Sequence, residues 1–181
     1  MKTLYESLLD DFDEIEKTVI PREQVIQFLK DNYKRSANFK ISKKPNNDGY
    51  YEVDCSKCSN VVVHNNNIMS LTNNLFIFVN VNGSFDCINC KKLTSFEGAP
   101  KEVGGSFYCR NCTNLTSLEG APQKVGGSFN CSFCDNLTSL EGAPKEVGED
   151  FDCHSCSNLT SLEGAPKNIG GKIYSDFPVF Y

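Results

Sequence analysis

No stretch of this 181-residue chain stays apolar for long enough to span a membrane. The opening MKTLYESLLDDFDEIEK turns acidic where a secretory signal would need an apolar run. An excess of basic charge is missing too. The formal net charge is −5, which weighs against general nucleic-acid binding and is too mild to imply a partner by itself. These absences point to a cytoplasmic protein, in a compartment where thiols stay reduced. Hydrophobic residues make up 39% and charged residues 23%, as in an ordinary globule of one domain or a domain with a small cap.

What is present divides into an N-terminal cap, residues 1–50, and a repeat region, residues 51–181. Leu4, Leu8, Phe12, Ile15 and Val19 recur at helical spacing, as do Val25, Phe28, Leu29 and Tyr33, so residues 1–36 read as two amphipathic helices. Pro21 suits the first turn of the second helix, where the missing N–H costs nothing. Charge splits between them: residues 1–19 carry −4 and residues 22–44 carry +5. The basic residues Lys34, Arg35, Lys40, Lys43 and Lys44, with Tyr33 and Phe39, form a possible docking patch. Nucleic-acid binding through residues 33–44 is the corresponding functional alternative. Next, Phe39-Lys-Ile-Ser and Tyr51-Glu-Val-Asp alternate apolar and polar around Pro45-Asn-Asn-Asp-Gly, which predicts a β-hairpin.

From residue 81 the chain repeats itself every 22 residues. Val81, Val103, Val125, Val147 and Ile169 open successive units, and four copies of SLEGAP or SFEGAP close them. Such a period predicts a stacked solenoid, each unit burying its apolar edge against the next. Within a unit Phe107, Cys109, Cys112, Leu115, Leu118 and Ala121-Pro122 keep their chemistry from copy to copy. Phe-x-Cys-x-x-Cys-x-x-Leu-x-x-Leu resembles the leucine-rich repeat pattern LxLxxN/CxxLxxL, and the short period with its closing proline is similar to the bacterial and phage branch of that family. The resemblance covers residues 51–181. It implies short parallel strands with two inward apolar residues, an Asn or Cys inside the turn, and an extended convex side. Upstream, Val61-Val-Val63-His-Asn-Asn66-Asn-Ile68-Met-Ser-Leu71 fits the asparagine form, with Asn66 expected at the place of Cys90, Cys112, Cys134 and Cys156. The unit from Ile169 drops both cysteines and reads as a C-terminal capping coil.

The 10 cysteines form five CxxC pairs. They are expected as buried, reduced thiols acting as small hydrophobes. Zinc held by Cys87, Cys90, Cys109, Cys112, Cys131, Cys134, Cys153 and Cys156 is the alternative, since adjacent coils stack at about 4.8 Å and Zn–S bonds are about 2.3 Å. Against it, one sulfur of each pair belongs to a strand and the other to a turn, so they need not converge. Redox chemistry would require an exposed helix N-terminus and a perturbed thiol. No cofactor is therefore expected.

Positions that vary between copies are free to carry specificity. The first outward column reads Asp86, Tyr108, Asn130, Asp152 and Tyr174; the second reads Ile88, Arg110, Ser132, His154 and Asp176; the third reads Asn89, Asn111, Phe133, Ser155 and Phe177. Asp86, Ile88, Tyr108, Arg110, Asn130, Phe133, Asp152, His154 and Tyr174 are the candidate partner-binding residues, on the concave face that solenoids use for recognition. His154 has no repeat-mate histidine and no nucleophile in pattern, so no catalytic residue is assigned. Glu97, Glu119, Glu141 and Glu163 form an acidic column on the convex edge, answered by Lys101, Lys124, Lys145 and Lys167. The expected function is non-enzymatic binding of a host protein. LTSLEGAP-type repeats resemble those of phage and mobile-element proteins, and that resemblance implies a modulator or inhibitor of a host defence component.

Overall fold

The computed structural model describes residues 20–34, 38–72 and 75–178. The expected first helix, Leu4 to Val19, lies outside the described residues, as do Arg35 and the apolar tail Val179, Phe180 and Tyr181. Among the described residues no helix is long and apolar enough to cross a membrane.

Helix α1 (Arg22–Asn32) follows Pro21, which is its N-cap rather than its first helical residue. Val25 and Leu29, one turn apart, are buried, and Phe28 meets Phe76 edge-on at 5.9 Å. The helix stops where Tyr33 turns extended (φ −119°, ψ 149°). Tyr33 then bridges Val63 in antiparallel sense, while the Lys34 N–H donates to Val62 O and the His64 N–H to Asn32 O. The cap thereby closes the open edge of the first coil, which a solenoid needs if it is not to pair with other chains.

Strands β1 (Lys40–Ile41) and β2 (Tyr51–Asp54) form the expected hairpin. Its turn is held by Asn46 Oδ1, which accepts the N–H groups of Asp48 and Tyr50. β2 also pairs, in parallel, with β4 (Phe76–Val79), giving a small mixed sheet.

The rest winds as a parallel β-solenoid of about six turns. One sheet of six parallel strands runs its length: β3 (Asn60–Val62), β5 (Ser84–Asp86), β7 (Phe107–Tyr108), β9 (Phe129–Asn130), β11 (Phe151–Asp152) and β13 (Ile173–Tyr174). A second sheet of four strands stacks the opening valines: β6 (Glu102–Val103), β8 (Lys124–Val125), β10 (Glu146–Val147) and β12 (Asn168–Ile169). This second row was not separated in the repeat pattern, where the valine reads as the start of one strand. The glycines between the two strands explain the break. A Cβ on Gly126 would fall 2.1 Å from Gly104 O of the preceding coil, so at this corner glycine lets the chain turn close against its neighbour.

Inside, one phenylalanine per coil stacks on the next. Phe85, Phe107, Phe129 and Phe151 are fully buried, with centroids 5.3, 5.3 and 5.6 Å apart and planes within 13° of parallel. Ile173 ends the stack and Val61 begins it. Tyr33 ties the cap to this column, its ring edge-on to Phe85 and its hydroxyl donating to Leu71 O at 2.6 Å. Leu93, Leu115 and Leu137 fill behind the phenylalanines. The SLEGAP turn has its own logic: the Glu119 N–H donates to Ser117 Oγ, Gly120 adopts φ +82°, and the Leu118 N–H reaches Glu141 O of the next coil. Asn114, Asn136 and Asn158 are exposed beside their buried leucines.

Three expectations are corrected. Asn66 is exposed; Asn65 supplies the carbonyl that accepts the Ile68 N–H, as Cys90 does for Leu93, because that turn is one residue shorter. Cys55 and Cys58 lie between β2 and β3, at the corner the later coils give to glycine, whereas the other four pairs follow the second strand. Lys124 pairs at 2.9 Å with Glu146, its register partner one coil on, and not with the Glu119 column.

Phe129 has a ring on either side, so Phe129→Ala should cost about 3–5 kcal/mol and lower the urea midpoint sharply. An unchanged midpoint would show that the stack contributes little.

Candidate functional site

Parallel register carries the first outward column into one continuous row. Asp86, Tyr108, Asn130, Asp152 and Tyr174 are direct neighbours across the six-stranded sheet. Their acids and amides also serve the turn that follows. Asp86 Oδ1 accepts the Ile88 N–H, Asn130 Oδ1 the Ser132 N–H, and Asp152 Oδ1 the His154 N–H. Short oxygen-bearing side chains recur here because each closes a local turn. Tyr108 and Tyr174 lack that role, and Tyr174 is 47% exposed.

The third column has a backbone feature the repeat pattern does not display. Asn89, Asn111, Phe133 and Ser155 all adopt left-handed φ of 54–62°. Asparagine tolerates that region and a bulky aromatic does not. At Asn89 and Asn111 the amides also join into a ladder, Asn111 Nδ2 donating to Asn89 Oδ1 at 2.6 Å. Phe133 breaks the ladder. Its ring sits between the second-column residues of the coils on either side, with the Arg110 guanidinium 4.7 Å above its centroid and the His154 ring edge-on at 4.9 Å. Between those two stands Ser132, expected to face outward but fully buried. Ser132 is also the smallest side chain of its column.

A polar chain runs beneath this cluster. Ser132 Oγ donates to Asn130 Oδ1 at 2.7 Å, Asn130 Nδ2 to Asp152 Oδ2 at 2.9 Å, and His154 Nδ1 to Asp152 Oδ1 at 2.5 Å. The carboxylate fixes the imidazole with its proton on Nδ1 and leaves Nε2 for another group. Ser132 is engaged with Asn130, and burial pushes the neighbouring Cys153 thiol up to about 12, so neither is an activated nucleophile. Beside the cluster, Ile88, Asn89, Arg110, Asn111 and Phe133 line a groove. Ile88, Arg110 and Phe133 are among the candidate residues; Asn89 and Asn111 are not. The asparagines at one position of successive repeats were the available signal for a left-handed turn.

The basic segment is placed differently from the patch envisaged. Tyr33 is buried and Phe39 half-buried, so the aromatics serve the core while Lys34, Lys40, Lys43 and Lys44 stay exposed.

All ten cysteines are free and buried. Six of the thiols donate to backbone carbonyls. Cys112 Sγ donates to Cys87 O at 3.2 Å, Cys134 Sγ to Cys109 O at 3.3 Å and Cys156 Sγ to Cys131 O at 3.2 Å, a rung between each coil and the one before. Cys87 and Cys109 instead donate forward, to Tyr108 O and Asn130 O. Among the described residues no three His, Cys, Asp or Glu side chains converge as a metal site. Burial pushes Cys134 up to about 12 and Cys156 to about 11, and raises Cys109 and Cys131 well above the ordinary thiol value. These thiols stay protonated at neutral pH.

Comparison of the chain with known protein families, curated proteins and solved structures finds no match.

The buried thiols predict how stability varies with pH. Unfolded cysteines ionise near pH 8.5, whereas the folded chain holds these protons to about 11–12. Between those values the folded state binds more protons, so stability is full below the unfolded value and falls as pH rises. Each thiol withdraws up to ~1.4 kcal/mol per pH unit. Circular dichroism in reductant should therefore show unfolding between about pH 9 and 11. Retention of structure through that range would contradict the dry thiol ladder.

Proposed function

We propose that this chain is a cytosolic binding protein of the leucine-rich-repeat type, acting by surface recognition of another protein and performing no chemistry. The pattern from Phe107 to Leu118, the short parallel strands and the turn cysteine bonded to a neighbouring coil's backbone support the repeat type. Resemblance of the LTSLEGAP repeats to phage and mobile-element proteins supports a host protein as the partner. A component of bacterial defence is the kind of target we favour.

The observation that carries the binding role is Phe133. Three coils place Asn or Ser at the left-handed position, where they suit the backbone; the fourth places a phenylalanine, at φ 60° and 36% exposed. Such a residue costs about 1–2 kcal/mol in that conformation, and a half-exposed ring recovers only part of it. Strain kept at one unit of a repeat, where the other units avoid it, marks a functional position. Around it stand Tyr108, Arg110 and His154, and Tyr, Arg and Phe are residue types enriched in protein interfaces.

Affinity capture from bacterial lysate, read by mass spectrometry, tests this. The wild-type chain should enrich a defined protein that the combined Tyr108, Arg110, Phe133 and His154 alanine variant does not. Phe133→Asn should lower capture at least about tenfold while leaving the thermal midpoint nearly unchanged, since relief of the backbone offsets the lost cation–π contact of about 0.5–1 kcal/mol. Full capture by the quadruple variant would move the binding surface elsewhere, with the helical cap next in line.

A further inference from the structure

Three columns of five positions run along the repeats from Asp86 to Phe177, and Arg110 is the single Lys or Arg among them. In a chain of net charge −5, with Asp86, Asp152 and Asp176 on the same face, an arginine would be expected to find a carboxylate. It does not: among the described residues no acid pairs with its guanidinium. Asp86 is turned to the Ile88 N–H, Asp152 to His154 and Asn130, and Asp176 to the Ser155 N–H. Arg110 instead lies over the Phe133 ring, its Cζ 4.7 Å from the centroid. Stacking satisfies one face of a guanidinium and leaves its five N–H donors, all in the plane, free to engage an anion.

The groove next to it supplies the rest of a receptor. Ile88 and the Phe133 ring are its apolar sides, and Asn89 and Asn111 also line it. In the amide ladder Asn111 Nδ2 is the donor and Asn89 Oδ1 the acceptor, so among the described residues the Asn89 Nδ2 hydrogens remain unused. A fixed guanidinium and an amide donor suit a carboxylate; an isoleucine and a phenyl edge suit an apolar or aromatic group beside it. A cation would meet Arg110 head-on.

We propose that the groove of Ile88, Asn89, Arg110, Asn111 and Phe133 binds an acidic side chain that neighbours an apolar residue on the partner protein. The Arg110–Phe133 stack is the anchor: the ring holds the guanidinium in place before the partner arrives, so less side-chain freedom is lost on binding. His154 meets the same ring edge-on and Asp152 fixes His154. This inference rests on the reading of the outer face as a protein-binding surface and adds the chemistry of what enters it.

The test uses the full chain, isotope-labelled for NMR, with 3-phenylpropionate as the probe and phenethylamine as its cationic counterpart. Phenylpropionate should shift the Arg110 Nε–H and the Asn89 side-chain amide, saturably. Arg110→Gln, an exposed change that leaves the fold intact, should weaken that binding about tenfold. Phenethylamine should leave these resonances in place. Binding of phenethylamine in preference, binding of neither, or phenylpropionate binding unaffected by Arg110→Gln would each overturn the carboxylate assignment. Capture separates this from the broader reading: a partner lost by Phe133→Asn yet kept by Arg110→Gln would leave protein recognition standing and remove the carboxylate.

Discussion

Each coil of this protein can bury its apolar edge only against a copy of itself. That constraint decides what may stand at every position, because a residue at one height in the stack has its counterpart about 4.8 Å above and below. A flat ring satisfies it well, which accounts for the parallel phenylalanines at the centre. At Gly104, Gly126 and Gly148 only glycine does, since the neighbouring backbone occupies the space where a Cβ would be. Outside, a side chain that bonds its own turn and the next coil together is favoured, as Asn130 at the end of β9 shows.

The cysteines obey the same constraint. A turn interior needs a small side chain that is at ease away from water and able to donate to a carbonyl of the adjacent coil. Cysteine meets both conditions, being small, apolar in bulk and a weak donor. The ladder of thiols is thus a structural counterpart of the backbone ladder beside it. Its chemistry is quiet because ionisation would place a charge where no water can reach.

Against this uniform background the outer face stands out by departing from it. Phe133 occupies a backbone conformation that asparagine fits better, Ser132 is small enough to be covered, and Arg110 and His154 close on the ring from the coils to either side. Residues of three successive coils take part in this departure. Repeats elsewhere in the chain show that the fold itself does not ask for this, and that contrast is what supports the proposed recognition role.

The spacing of Phe, Cys and Leu by itself determined the solenoid, the inward residues and the dryness of the thiols, because a 22-residue repeat that buries one edge has few ways to stack. It also determined the outward row from Asp86 to Tyr174, since alternation along a strand is geometry and not context. Only the tertiary structure decided the second row of strands, where glycine corners depend on the approach of the previous coil. Only it showed that Asn66 faces out, that Tyr33 belongs to the core, and that the third column is left-handed. The contact of Phe133 with Arg110 and His154 joins residues 23 and 21 positions away on two different coils. Such a meeting is a property of packed neighbours rather than of order along the chain.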